Sequence, residues 1–159
     1  MLVHLLKLPP LDDATRALCE RGVVVRRANP FEITPVRAWI ERRFGTGWAD
    51  EVSVGFANKP VSVFVALREG RIIGFGAYEC TRRAFFGPTG VAEEERGNGI
   101  GKALLLACLW GLRELGYVYG IIGGAGPTAF YARAVGAEPI PGSEPGIYTD
   151  MLRGPEEAA

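Results

Sequence analysis

Histidine is nearly absent from this chain: His4 is the only one in 159 residues, and the three cysteines, Cys19, Cys80 and Cys108, stand in no metal-ligand spacing. Structural zinc and a disulfide framework are therefore not expected, since the first needs clustered ligands and the second paired thiols. Net charge is missing too. Eighteen Lys and Arg balance eighteen Asp and Glu, so no global field gathers nucleic acid or an anionic membrane, and neither is expected as a partner. The longest apolar run, Ala103 to Leu112, is far shorter than the about 20 residues that span a bilayer. The apolar stretch Met1 to Leu8 is broken by His4 and Lys7 and closed by Pro9-Pro10 before a signal-peptide core reaches full length. The expected compartment is the reducing cytoplasm.

What is present is apolar residue content, at 48%, and glycine, at 22 residues. That composition suits one domain with one substantial core over residues 1–159. Leu2 to Leu8 is expected as a short strand, Asp12-Asp13 as the opening of a helix that Gly22 ends, and Val23 to Val25 as a strand. Thr34-Pro35 starts a helix carrying Val36, Trp39, Ile40 and Phe44, and a second short helix runs from Trp48 to Phe56. The period then changes. Val61 to Leu67, Ile72 to Thr81 and Phe85 to Val91 read as three antiparallel strands, the first two joined by a tight Glu69-Gly70 turn. A long helix from Gly99 to Leu115 is apolar on nearly every side, so it needs cover on both faces. A strand from Tyr117 to Ile122, a helix from Pro127 to Val135, and a Pro- and Gly-rich tail with up to two short strands complete the order. The predicted class is α/β, with a mixed, largely antiparallel central sheet and helices on both faces.

The segment Val91-Ala92-Glu93-Glu94-Glu95-Arg96-Gly97-Asn98-Gly99-Ile100-Gly101-Lys102 joins a strand to the buried helix. Free N–H groups at such a helix start bind anions, and glycine lets a pyrophosphate approach the backbone. A dinucleotide fingerprint fails, because counting from Gly97 puts Lys102 at the final glycine. A P-loop fails as well, with Arg96 and Ala103 at its defining positions. The triplet Glu93-Glu94-Glu95 places like charge near an anion site and is expected to face away from it.

Arg-x-x-Gly-x-Gly after a strand, with Val91 five residues before Arg96, resembles the pyrophosphate-binding motif of the GNAT superfamily of acyl-CoA-dependent N-acetyltransferases. Ala129-Phe130-Tyr131 followed by Gly136 is similar to that family's second motif, and the resemblance covers roughly residues 22–152, leaving 1–21 as an extension. It implies acetyl-CoA as cosubstrate without a metal, and direct transfer of the acetyl group to an unidentified amine, small or on a protein. A CoA-binding regulatory module without turnover is the alternative. By position, the resemblance assigns the cofactor to Thr89, Gly90, Val91 and Arg96 through Lys102, with Pro88 consistent with a disturbed strand. Tyr131 matches the family's acid, although Gly136 follows it at five residues rather than four, which leaves Phe130 as the other occupant of that position. For a base, Glu79 is placed first because it is expected to share a sheet face with Ile73, Phe75 and Ala77; Glu138, Glu144, the Asp50-Glu51 pair and water stay open. The oligomeric state is left open, a homodimer included.

Overall fold

The computed structural model describes residues 1–152. Six strands form one sheet: β1 (Leu2–His4), β2 (Val23–Arg27), β3 (Val63–Arg68), β4 (Arg71–Tyr78), β5 (Phe85–Val91) and β6 (Tyr119–Ile122). Their spatial order is β1-β6-β5-β4-β3-β2, and every pairing is antiparallel except β5 with β6. The predicted mixed, largely antiparallel sheet is what the chain forms.

Five helices cover it: α1 (Leu11–Cys19), α2 (Ile33–Phe44), α3 (Thr46–Ala57), α4 (Ile100–Glu114) and α5 (Thr128–Val135). Helices α2 and α3 bring Val36, Trp39, Ile40 and Val52 onto Val63, Val65, Phe75 and Ala77 on one face. On the other face lies α4, most of whose residues are buried. Its all-round apolar surface is satisfied as expected, against the sheet beneath and against α1 and α5 alongside, where Leu18, Tyr131 and Val135 meet it.

The N-terminal extension is part of the sheet. β1 pairs with β6 through Leu2↔Ile121 and Val3↔Gly120, and its other edge takes a bridge between Leu2 and Glu138. That bridge and a 3-10 turn at Gly146–Tyr148 are what the tail forms in place of two strands.

Two irregularities place the functional residues. The β3–β4 register shifts at Ala66/Leu67, so that Ile73 is an extra residue in β4. A bulge of this kind turns consecutive side chains to one side. Ile73 therefore packs against Ile100 and Leu104 on the α4 face, while Phe75 and Ala77 face α2 and α3. The expected common face of Ile73, Phe75 and Ala77 does not exist. The second shift lies between Gly76↔Thr89 and Tyr78↔Phe86, which puts the extra residue of β5 at Gly87-Pro88, where a proline cannot donate to a ladder.

Candidate active site

β5 and β6 touch only at Phe85↔Ile121 and Phe86↔Ile122. β6 ends there while β5 continues to Val91, so the two strands open into a cleft. The N–H of Ala92 donates to Ile73 O on the β4 side. By alternation along a strand the N–H of Val91 points the opposite way, into the cleft, where a carbonyl oxygen would find a donor.

At the mouth of the cleft the chain passes from β5 through a 3-10 turn at Glu93–Glu95 into the glycine loop. Gly97 and Gly99 both take left-handed backbone angles, φ +79° and +83°, which only glycine adopts freely. The consequence is a run of amides with nothing to bond: among the described residues, no hydrogen bond is donated by the backbone N–H of Gly97, Asn98, Gly99, Ile100, Gly101 or Lys102. Space is available as well. A Cβ at Gly97 would meet no atom within 4 Å, and one at Gly101 would touch only Val91 Cγ2 at 3.7 Å. These features fit a pyrophosphate, which would fill the room that the missing side chains leave.

Two of the three acids in the triplet are matched by arginines. Glu94 is held in a two-pronged pair by Arg43 of α2, at 2.9 and 3.2 Å, and Arg43 keeps its carboxyl below the usual carboxylate range. Glu95 is held likewise by Arg68 of β3, at 2.9 and 3.1 Å. Arg21, Arg96 and Lys102, by contrast, have no carboxylate partner among the described residues. The loop is left with surplus positive charge.

Residues 59–134 match the family model of the acetyltransferase (GNAT) domain. Solved structures with the same fold include a GCN5-related glucosamine N-acetyltransferase region of a fungal multi-domain GH3 beta-N-acetylglucosaminidase, 20% identical at a TM-score of 0.68, where the match covers 84% of this chain and 19% of that one. This chain thus spans less than a fifth of that protein. A GNAT family acetyltransferase from Brucella melitensis in complex with acetyl-CoA is 21% identical, with a TM-score of 0.54 and coverage of 70% and 80%. A GNAT family N-acetyltransferase from Escherichia coli in complex with CoA is 22% identical, with a TM-score of 0.55 and coverage of 71% and 67%. At these identities the likeness is one of fold. No curated protein matches the chain.

Within the matched stretch the other site residues separate into those at the cleft and those away from it. Tyr131 lies on α5 with its ring edge-on to Phe86, the last β5 residue paired with β6, at 6.3 Å between centroids. It is buried, its hydroxyl meets no partner among the described residues, and burial pushes its pKa above the ordinary phenol value. The adjacent Phe130 is only partly buried, against Tyr131 at 5.1 Å. Thr89 uses its hydroxyl on Phe75 O, at 2.9 Å. Packing also requires glycine at Gly90: a Cβ there would stand 2.5 Å from the Phe44 ring, which lies directly on the strand.

Glu79 is not on the sheet face where it was expected. It follows β4, takes φ +58°, and turns its carboxylate back onto Ala84 N at 2.6 Å and Arg83 at 3.4 Å. Its own N–H donates to Phe85 O. It closes the β4–β5 loop. The reason is the turn itself: a chain leaving β4 needs an acceptor for the Ala84 amide, and a glutamate at its start supplies one.

Of the other acids, Glu51 stands one turn after Trp48 on α3 and reaches the segment that follows β4. It accepts the Thr81 hydroxyl and lies close enough to Tyr148 to raise that phenol's pKa further, after burial. Trp48 stacks on Phe44 at 5.3 Å and is partly exposed. Sequence reasoning held Glu51 among several acids; its i, i+3 spacing from Trp48 was the signal that could have raised it. Among the described residues no group of three or more His, Cys, Asp or Glu could hold a metal, and no helix is long and apolar enough to cross a membrane.

Proposed function

We propose that the protein is an N-acetyltransferase that transfers the acetyl group of acetyl-CoA directly to a cationic amine. The observation that carries this reading is the opening of β5 from β6 next to a loop of unbonded amides, because the two together offer one site for a thioester carbonyl and one for a pyrophosphate. Arg96 through Lys102 hold the pyrophosphate, the N–H of Val91 holds the pantetheine arm that leaves it, and the amides further back along β5, toward Phe86 and Tyr131, hold the thioester carbonyl oxygen as charge builds on it.

The amine approaches from the α3 side, over the aromatic floor of Phe75, Phe44 and Trp48. An aliphatic ammonium, with a pKa of about 10, is drawn by the Trp48 ring face and the Glu51 carboxylate and must lose a proton before attack. Glu51 takes that proton directly or through water. The nitrogen then bonds to the carbonyl carbon, the C–S bond breaks, and Tyr131, protonated at neutral pH, gives its proton to the departing thiolate, while the second proton that the nitrogen sheds returns through water to the phenolate. The products are an amide and CoA thiol.

The test is thiol release from acetyl-CoA across a panel of aminoglycosides, amino sugars, amino acids, polyamines and peptides, with acetyl-CoA binding measured in parallel. Amine-dependent release is expected with at least one class. Binding without release for every amine would make the chain a CoA-binding regulatory module, and absence of binding would remove the glycine-loop assignment.

A further inference from the structure

The tail leaves the β1 edge at Glu138 and returns to the end of β6 with Tyr148, in the 3-10 turn at Gly146–Tyr148. There the phenol lies against two consecutive glycines. A Cβ at Gly123 would stand 3.2 Å from the Tyr148 hydroxyl, and one at Gly124 would stand 3.1 Å from it and 3.3 Å from Cζ. Any larger residue would crowd the ring, and at Gly124 the backbone also takes φ +53°, which glycine adopts without strain. The pair reserves the place of the ring.

That place adjoins the reacting centre. Ile122, the last residue of β6, is paired with Phe86, and beyond this pair β5 and β6 part. Alternation sends Phe85 and Phe86 to opposite faces of the sheet: Phe86 meets Tyr131, and the Phe85 ring lies against Gly123. Tyr148 therefore stands where the strands separate, across the sheet from Tyr131. Its hydroxyl is not used inside the protein. Tyr148 is 45% exposed and its phenol makes no hydrogen bond among the described residues, whereas Thr81 has committed its own hydroxyl to Glu51. Burial, and then the charge of Glu51, hold the phenol above its ordinary pKa, so it is a protonated donor at neutral pH.

We propose that Tyr148 is a specificity-determining residue whose hydroxyl bonds a hydroxyl group on the carbon next to the acceptor's amine, so that vicinal amino alcohols are preferred to simple amines. The inference rests on the reading that the amine enters from the α3 side with Glu51 as its base. A vicinal amino alcohol carries its two polar groups on adjacent carbons, and a carboxylate and a phenol near each other at one opening take one each. A simple amine reaches Glu51 but leaves the phenol without a partner once water is displaced. A site built to bond a substrate hydroxyl disfavours the analogue that lacks it for this reason.

The test measures thiol release from acetyl-CoA with trans-2-aminocyclohexanol and with cyclohexylamine, which differ by one hydroxyl, for the parent and for Tyr148→Phe. The quantity read is the factor by which the variant lowers kcat/KM for each amine. The amines' own basicities cancel, because the same pair is compared in both proteins. The factor is expected to be about 3- to 10-fold larger for the amino alcohol, the size of one neutral hydrogen bond. Phenylalanine keeps the ring against Gly123 and Gly124, and a purely structural role for Tyr148 would lower both rates alike. An equal factor for the two amines, or a larger one for cyclohexylamine, would overturn the proposal and leave the transferase reading standing. A parent that acetylates other amines but refuses the amino alcohol would also overturn it. No amine-dependent release with any amine would instead overturn the underlying reading.

Discussion

Replacing Gly101 by valine separates the glycine loop's two roles, because at this position folding and binding make opposite demands. Gly101 is the second residue of α4 and is helical, so no left-handed angle is lost on substitution. The new Cβ would meet one atom of the protein, Val91 Cγ2, at 3.7 Å, an ordinary contact. Glycine is about 1 kcal/mol worse than alanine in a helix and valine at most about 0.7, so the fold should be unchanged or gain a few tenths of a kcal/mol. For a chain of this length that is a shift in Tm within about 2 °C. Binding is another matter. The branched side chain fills the space through which a pyrophosphate oxygen reaches the amides, and a hydrogen bond to a charged group contributes roughly 1.5–3 kcal/mol. Loss of one such bond weakens binding by about 10- to 150-fold. Thermal melting without ligand and calorimetric titration with acetyl-CoA read the two effects separately. Parental affinity in a normally folded Gly101→Val protein would refute the loop assignment, since a pyrophosphate cannot share that space with the side chain.

Tyr131→Phe should lower kcat by about 10- to 1,000-fold and leave acetyl-CoA affinity unchanged, because the ring still packs on Phe86 and only the proton is lost; an unchanged kcat would pass the role to water. Because burial raises the Tyr131 pKa above that of an ordinary phenol, any basic limb that this group imposes on the kcat profile should lie at higher pH than an unperturbed tyrosine would give. Glu79→Gln should leave kcat/KM for amines as it is and reduce stability by about 1 kcal/mol in denaturant melts, through the weakened bond to Ala84 N–H; a fall in kcat/KM at unchanged stability would return the residue to catalysis. Glu32, clasped by Arg26 and bonded to Asn29 N–H, titrates at about 2 instead of 4.5. A depressed carboxyl stabilises the fold above its unfolded pKa, so this contribution is lost as pH falls from 4.5 toward 2, and Glu32→Gln should flatten that leg of the pH–stability curve.

How far the sequence could be read depended on whether a signal was local. The three central strands, α4 with its two buried sides, and the loop from Arg96 to Lys102 are each set by a short run of residues, and each formed where the pattern placed it. Pro88 marked the irregular point of β5 for the same reason. Glu79 failed because its expected face depended on strict alternation through β4, and a single extra residue at Ile73 broke the alternation. The ion pairing of Glu94 and Glu95 was illegible, since their partners Arg43 and Arg68 are 51 and 27 residues away. Arg21 was hidden in the same way. Nothing in Leu11–Cys19 signals a contact with Asn98, and only the packing of α1 along α4 brings the two together.

The place of β1 in the sheet has a consequence for how the molecule assembles. Leu2–His4 pairs with Tyr119–Ile122, so one edge of the sheet is made of residues from opposite ends of the described chain. Contacts of such long sequence separation cost loop-closure entropy before they give anything back, and they form late. During synthesis, at about 5–20 residues per second, β1 would wait roughly 6–24 s for its partner strand to be made. Through that interval Val3 and Leu5, both fully buried in the finished protein, stay without their cover. A nascent chain halted before Tyr119 should therefore hold its first residues open to protease, and one extended past Glu138 should protect them.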